Sequence, residues 1–543
     1  MSLLFYEIFG ATKVLSKNPY GTGKIELELL GDKFRQAKEE LKLLINKAFV
    51  DKEVEVEEVE IEEEIEEKLD IEKGKLIRIE SLVFDCSNEE YEKGIERLKY
   101  IIKICDLILQ RRGYEKLLST YINVVPSLVQ HWSDHKVRFH LNSLGADTGR
   151  FSSGGKWKFY EGEEPIILNG MNSQNIPSNT SKEIRLIFLA DEGRTFVGGD
   201  WSQQEPKITA FLSQEPKMIQ AYDEGKDIYA TIAQMIYKNN YEDNLEFYDK
   251  EKTQLNLKGK KRRSVGKTVI LATMYGMGVR TIASKLGIEV DEAAEILYNF
   301  YSEFTKLSKC QDDTILFCKR YGYVEDVMGR KRRLPNIQLP MYKVRFSHKP
   351  KLSLSEANSL LERFFNRLND KQLTKKELAI IKKEAKENNI IIESNEEHIK
   401  KAERQTFNAR IQGSAATMAK KTMILIYNDP VLKKCDVNLV FQIHDELIVD
   451  CPIEHVEVVK NRLKRIMENS AMTLGITIPM KCDIEVERRW GEATMSTEIK
   501  ESYLTLVEKG VKNPLEKLSK QYPNFPIESL RKVIEGESDR IIF

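Results

Sequence analysis

TFVGGDWSQQE, residues 195–205, sets a short apolar run against an acid and follows it with a polar turn. Thr, Phe and Val favour a strand, the paired glycines allow close backbone approach, and Asp200 ends the run. A second run of the same design, VNLVFQIHDELIVD at 437–450, carries Asp445 between two apolar stretches. An ionised carboxylate beside a buried strand is costly unless it meets a cation, and two brought together repel. A divalent, oxygen-seeking ion is their natural partner, and for phosphate chemistry that ion is Mg²⁺. One strand-end Asp is ordinarily a turn or cap residue. Two of them, with a basic helix between them in the chain, point to chemistry.

That helix is read from KRRSVGKTVILATMYGMG at 261–278, and its start is expected near Arg262. Arg263, Lys267, Leu271 and Tyr275 recur at every fourth position and share one helical face. Two cations beside an apolar residue and an aromatic suit a ligand with phosphates at one end and a flat base at the other. An amphipathic helix whose cations only meet water has the same pattern.

Outward from these segments, 543 residues are too many for one ordinary core and imply two to four packed subdomains. Lys plus Arg equals Asp plus Glu at 85 each, so any surface for a polyanion must come from local segregation of charge. Such segregation is visible in DKEVEVEEVEIEEEIEE at 51–67 against KGKKRRSVGK at 258–267 and RKRR at 330–333. Seven cysteines without a CxxC pair argue against a zinc site or a disulfide framework. No signal-peptide pattern or long apolar span is present, which leads us to expect a cytoplasmic protein without a membrane partner.

The chain divides into an N-terminal segment (1–118), a Gly/Ser/Asn-rich stretch closing on the first acid (119–205), a largely helical block (206–337), a Lys/Glu-rich helical insert (338–402), a helix and strand block (403–497) and a C-terminal extension (498–543) with weak helical pattern. Within the helical block, one helical pattern covers about 206–236, and GYVEDVMGRKRRLP at 322–335 reads as a hairpin.

GDWSQQE, RRSVGKTVILATMYG and QIHDE resemble, in order, the three polymerase motifs of the family that includes bacterial DNA polymerase I. STYI (119–122), TGRFSS (148–153), NSQNIP (172–177), the 322–335 hairpin and RQTFNARIQGSAA (404–416) fall between them in the family's order. The resemblance implies an α+β, right-hand fold with an antiparallel palm sheet and mostly helical fingers and thumb. The thumb would be abbreviated and lie in residues 1–118. It implies a DNA-dependent DNA polymerase that adds dNMPs to a primer 3′-hydroxyl with two Mg²⁺ ions, Mn²⁺ being able to substitute.

By the same carry-over, Asp200 and Asp445 are the metal ligands, with Glu446 completing or supporting the metal site. Arg263 and Lys267 grip the triphosphate, and Lys267 can also protonate the leaving group. Leu271 faces the sugar, Tyr275 holds the place of the templating base, and Gln203 joins the nucleotide contacts. Glu205 is the steric gate against a 2′-hydroxyl. Arg150, Asn172, Asn175, Arg404, Gln412 and His444 track primer and template. Tyr229 stands where relatives carry a His that touches the triphosphate, Leu271 where they carry Phe or Tyr, and Trp201 where they carry Tyr.

The resemblance further implies primer–template DNA and dNTPs as partners, with a helicase, a processivity factor and a separate exonuclease as accessory proteins. A proofreading 3′–5′ exonuclease is not expected within the chain: an Asp-x-Glu ahead of the motifs, Asp70 and Glu72, belongs to the acidic stretch. A polymerase without nuclease domains is, by analogy, phage-borne or carried by a mobile replicon. Two alternatives are a single-subunit RNA polymerase, against which Glu205 and the QNIP segment argue, and an inactive DNA-binding homologue.

Overall fold

The computed structural model describes residues 103, 107–129, 134, 136–161, 164–170, 172–177, 182–249, 253–370 and 373–536. The acidic run, Asp70, Glu72 and nearly all of the segment assigned to a thumb therefore lie outside the described residues. Two compact units are present. In the first, which takes residues 1–140, 154–171 and 280–293, the STYI motif forms one π-helical turn, Leu118–Ile122, that leads into the short helix Val124–Val129. The same unit holds an antiparallel hairpin, Gly155–Glu161 with Glu164–Gly170.

The second unit is built on a four-stranded antiparallel sheet of β1 (Arg194–Trp201), β2 (Asn438–Ile443), β3 (Glu446–Pro452) and β4 (Cys482–Glu487), in the order β2-β3-β1-β4. Register places Asp200 directly across from Glu446 on one side and Asp483 on the other. Cross-strand partners share a face, so these three carboxylates lie in a row across one face of the sheet. The opposite face packs on a helix, Val456–Ser470. There Gly199 is closely packed: a Cβ at that position would come within 2.3 Å of the Met467 sulfur, so that side chain would have to shift. Trp201, fully buried, donates its indole N–H to the Met467 carbonyl at 3.0 Å.

The helices that position the site are α1 (Gln204–Ser213), α2 (Ile228–Tyr237), α3 (Leu257–Met274), α4 (Thr305–Tyr321), α5 (Glu396–Asn428), α6 (Val456–Ser470) and α7 (Glu492–Glu508). The expected pattern over 206–236 is broken into three helices, because Gln214 takes a left-handed conformation and Gly225 ends the second. α3 begins five residues before Arg262, where Asn256 accepts the Gly259 N–H and caps it. α2 and α3 pack backbone to backbone: Gly266 lies so close to the Tyr229 carbonyl oxygen that an added Cβ would sit 2.1 Å from it. The 322–335 hairpin forms as expected, pairing Tyr323–Glu325 with Lys331–Arg333.

The insert is not wholly helical. Tyr342–Phe346 pairs with Ile390–Ser394 as a two-stranded ribbon around helices Leu354–Asn369 and Lys375–Glu387. Each of these helices opens on a capping box, at Ser353 and Thr374. Phe364, Leu368, Ile381, Ala385 and Ile390 give the lobe a core of its own. The Lys/Glu-rich composition hid the apolar alternation of Tyr342–Phe346 and the short apolar run Ile390–Ile392, which pair across a long stretch of sequence. The expected boundary at 402/403 falls inside α5, which runs without a break from Glu396. The C-terminal extension is likewise packed. α7, Pro514–Gln521 and Ile527–Glu535 enclose Met495, Ile499, Leu506, Leu518, Phe525, Leu530 and Val533 against Leu186.

Candidate functional site

Asp200 and Asp445 are brought side by side by backbone pairing, the Trp201 N–H donating to the Asp445 carbonyl at 3.4 Å. The Asp200 side chain reaches solvent. Even so, the walls around it remove much of its hydration, and with the charges of Asp445, Glu446, Asp483 and Glu485 this pushes its pKa up to about 8. Among the described residues neither Asp200 nor Asp445 has an ion-pair partner within reach. The donors facing this point are carboxylate oxygens, the chemistry of a hard cation. They do not make a closed cage: no three His, Cys, Asp or Glu side chains among the described residues converge on one point. Two carboxylates of this kind can hold a hard divalent cation that keeps open positions for other oxygen ligands.

Glu446, expected to complete or support the metal site, is held by two neighbours. One carboxylate oxygen accepts from Arg185 at 3.1 Å and the other from the Trp490 indole at 3.0 Å. Arg185 in turn sits over the Trp490 ring, 4.3 Å from its centroid, and donates to the Pro177 carbonyl. Both Glu446 oxygens thus accept one hydrogen bond, which fixes the carboxylate beside Asp200. Glu487 lies deeper, where burial and then Glu485 raise its pKa to about 9. The alternation CDIEVE in β4 sets Asp483, Glu485 and Glu487 on one face, a signal present in the sequence that our reading missed.

Glu205, at the start of α1, accepts from Arg150 at 2.5 Å on one oxygen and from the Tyr275 hydroxyl at 2.6 Å on the other. Three residues expected at the site from separate motifs are thus joined, and Gln412 of α5 also meets the Tyr275 hydroxyl. Tyr275 caps α3 rather than continuing it, and Gly276, with φ of +63°, follows against Arg404. Asn172 accepts the Gln174 N–H and so shapes the 3₁₀ turn Ser173–Asn175. That turn sends the Gln174 amide to the Gln442 carbonyl at 2.5 Å. His444 is left-handed, with φ of +53°, and burial and then Arg150 lower its pKa. A pocket lies between Arg150, Gln174, Gln204, Glu205, Gln442, His444 and Asp445, with Ala415, Ala416 and Ala419 of α5 closing its side. The buried amide nitrogen of Gln204 has no partner there. Asn175 and Arg404 are exposed.

On α3, Arg263 and Lys267 flank the Tyr229 ring at 5.1 and 6.0 Å. Arg263 is held by Asp227, which accepts from its Nε at 3.1 Å and Nη2 at 2.8 Å while also capping α2. Gln203, in a left-handed conformation, donates to the same carboxylate. Loss of hydration and then Asp227 raise the Tyr229 pKa to about 12. Lys267 is exposed and Leu271 half-buried. One turn before Arg263, Lys260 bridges Glu246 at 2.9 Å and Glu501 of α7 at 2.7 Å, so the C-terminal extension touches the basic helix. Asp227, Glu246 and Glu501 were not anticipated, since only tertiary contact brings them here.

The sequence matches the family described as "DNA polymerase family A" over residues 27–492. It is 28% identical over 400 residues to the DNA polymerase I of Chloroflexus aurantiacus, covering 73% of this chain and 33% of that protein. Against the thermostable DNA polymerase I of Thermus aquaticus it is 26% identical over 398 residues, covering 73% and 37%. The chain therefore spans about a third of the length of these curated relatives. Among solved structures, the POL domain of Pol1 from M. smegmatis, in complex with a DNA primer-template and dNTP, superposes with a TM-score of 0.52 at 19% identity, over 86% of this chain and 66% of that one. The α+β polymerase fold with an antiparallel sheet is the fold observed. No helix among the described residues is long and apolar enough to cross a membrane.

Proposed function

The chain belongs to DNA polymerase family A, and from that premise we propose that it is a template-directed, DNA-dependent DNA polymerase extending a primer 3′-hydroxyl with dNTPs. The observation that carries the reading is the adjacency of Asp200 and Asp445: without an ion-pair partner among the described residues, and with the Asp200 carboxyl pushed up to a pKa of about 8, they make a pair that divalent cations would suit. On this reading the four-stranded sheet is the palm, α2 and α3 belong to the fingers, and residues 342–394 are an accessory lobe. Two Mg²⁺ ions held by Asp200 and Asp445 would acidify the primer hydroxyl and neutralise charge on the triphosphate.

The protein's own groups do the rest. Arg263 and Lys267 present cations along one face of α3 to the triphosphate, Arg263 exchanging Asp227 for phosphate oxygens. The Lys267 ammonium can pass a proton to the departing pyrophosphate. Glu205, pinned by Arg150 and Tyr275, forms a fixed wall beside the sugar and favours a deoxyribose. Arg150, Gln174, Gln442 and His444 line the pocket next to Asp445 with donors and acceptors for a primer terminus. Asn172, Asn175, Arg404 and Gln412 extend the contacts to the template. Tyr229 is a neutral platform between the two cations.

Primer extension with Mg²⁺ and the four dNTPs tests the proposal. Asp200→Asn and Asp445→Asn should each lower extension by at least about a thousandfold while primer–template affinity, which comes mainly from backbone contacts, stays within about threefold. A variant keeping a tenth of the wild-type rate would overturn the assignment. We infer also that the polypeptide does not proofread: a labelled mismatched primer given no dNTPs should remain full length, and metal-dependent shortening would refute this.

A further inference from the structure

The helix Lys375–Glu387 of the accessory lobe separates its charges by face. At 3.6 residues per turn, Lys375, Lys376, Lys382, Lys383 and Lys386 fall within an arc of about 120°. Ile381 and Ala385 turn to the lobe core on another side. All five lysines are exposed, and among the described residues none lies within ion-pair distance of a carboxylate. Two of the three acids of the same helix are directed elsewhere, Glu384 meeting Arg367 at 2.5 Å and Glu377 accepting the Thr374 N–H in the capping box, while Glu387, its last residue, borders the stripe. Residues 342–394 carry twelve Lys or Arg against seven Asp or Glu, a net +5 in a chain whose net charge is zero. Lysines three to four residues apart repel, and a face serving solubility alone would intersperse signs. Ile380 borders the stripe, too little apolar surface to anchor a protein partner.

We propose that this stripe grips the phosphate backbone of primer–template DNA at a distance from the nucleotide site; the proposal rests on the polymerase reading above. The stripe is about 16 Å long, the axial rise of about five phosphates of one strand. The lobe is rooted on α5, sixteen residues before Gln412. Along a helix that is about 24 Å, or roughly seven nucleotide rises from the point of insertion. Compact, flexible ammonium groups suit contact with phosphates without regard to base sequence.

The test compares the full chain with the K375Q/K376Q/K382Q/K383Q/K386Q variant, titrating primer–template DNA at several salt concentrations. Gln keeps the helix, being as good a helix former as Lys. The slope of log Kd against log salt should lose about 2–4 of its magnitude, and affinity at roughly 0.1 M salt should weaken by about tenfold or more. Single-turnover insertion from the preformed complex should be unchanged. A control of equal charge change, K509Q/K512Q/K517Q/K520Q/K532Q, should move the slope by less than about 1. An unaltered slope in the stripe variant, or an equal loss in the control, would overturn the proposal. If the fivefold variant does not fold, K382Q/K383Q/K386Q is read the same way, with about half the effect. Wild-type chain that extends primers while the stripe variant keeps its slope refutes the grip alone; wild-type chain that cannot extend primers refutes the polymerase reading.

Discussion

Replacing Asp200 by Asn should end extension and at the same time stabilise the cation-free protein. Without a cation, lost hydration and the charges of Asp445, Glu446, Asp483 and Glu485 hold the Asp200 carboxyl at a pKa of about 8. Measured from an ordinary aspartate near 3.8, a shift of about four units sets a ceiling of about 6 kcal/mol, at 1.36 kcal/mol per unit. The side chain keeps a face to water, and screening reduces this to about 1–3 kcal/mol. The folded state holds the Asp200 proton more tightly than the unfolded state does. The stabilisation from this group is therefore complete below about pH 4 and is lost progressively as pH rises to about 8. Asparagine carries no charge at either end. In chelator, melting curves at pH 6 and pH 8 should show the Asp200→Asn variant gaining on the wild type as pH rises, by on the order of 2–6 °C at pH 8. Mg²⁺ should raise the wild-type midpoint and leave the variant's unmoved. Because binding must displace the proton, Mg²⁺ affinity should tighten by up to about tenfold per pH unit between 6 and 8. A variant that melts below the wild type at pH 8 in chelator would refute this account of the acidic cluster.

Glu205→Ala removes the wall and also frees Arg150 and Tyr275. The dNTP to rNTP preference should fall by at least about a hundredfold, on the scale of two charge-assisted hydrogen bonds, and an unchanged ratio in parallel extension assays would place the gate elsewhere. Leu271 has no polar atom where a Tyr hydroxyl could replace a missing 3′-hydroxyl. Leu271→Tyr should therefore raise dideoxynucleotide use by about tenfold, one hydrogen bond of roughly 1.4 kcal/mol, and an active variant with an unchanged ratio would show that this residue does not face the sugar. Glu501→Gln releases Lys260 from α7; the pair is partly exposed, so KM for dNTP should rise by about threefold with Kd for DNA unchanged, and identical steady-state constants would show that the contact does not position α3.

Those parts of the site that depend on periodicity were legible in the sequence. Asp200 and Asp445 stand at strand ends that composition alone marks, and the four-residue recurrence of Arg263, Lys267 and Leu271 places them on one face of α3 as expected. Arg150, Glu205 and Tyr275 came from family motifs, and their mutual bonds, across 55 and 70 residues of chain, are not a matter of spacing. Asp227 reads locally as an ordinary helix cap in GKDIYA, and only the fold turns its other oxygen to Arg263. Arg185 and Trp490 lie 305 positions apart in sequence, so no local pattern could pair them around Glu446.

The close approach of Gly266 to the Tyr229 carbonyl has a mechanical consequence. Helices whose backbones touch cannot slide past one another without collision, and Asp227 fastens the start of α2 to Arg263 by two hydrogen bonds. The pair should swing as a single lever, so that any stroke bringing Lys267 toward a substrate carries Tyr229 with it. Directed evolution aimed at substrate choice can then alter side chains along the lever's outer edge, residue 271 among them, without disturbing its stroke. A single added methyl at position 266 would force the two helices apart and displace Arg263, Lys267 and Tyr229 together.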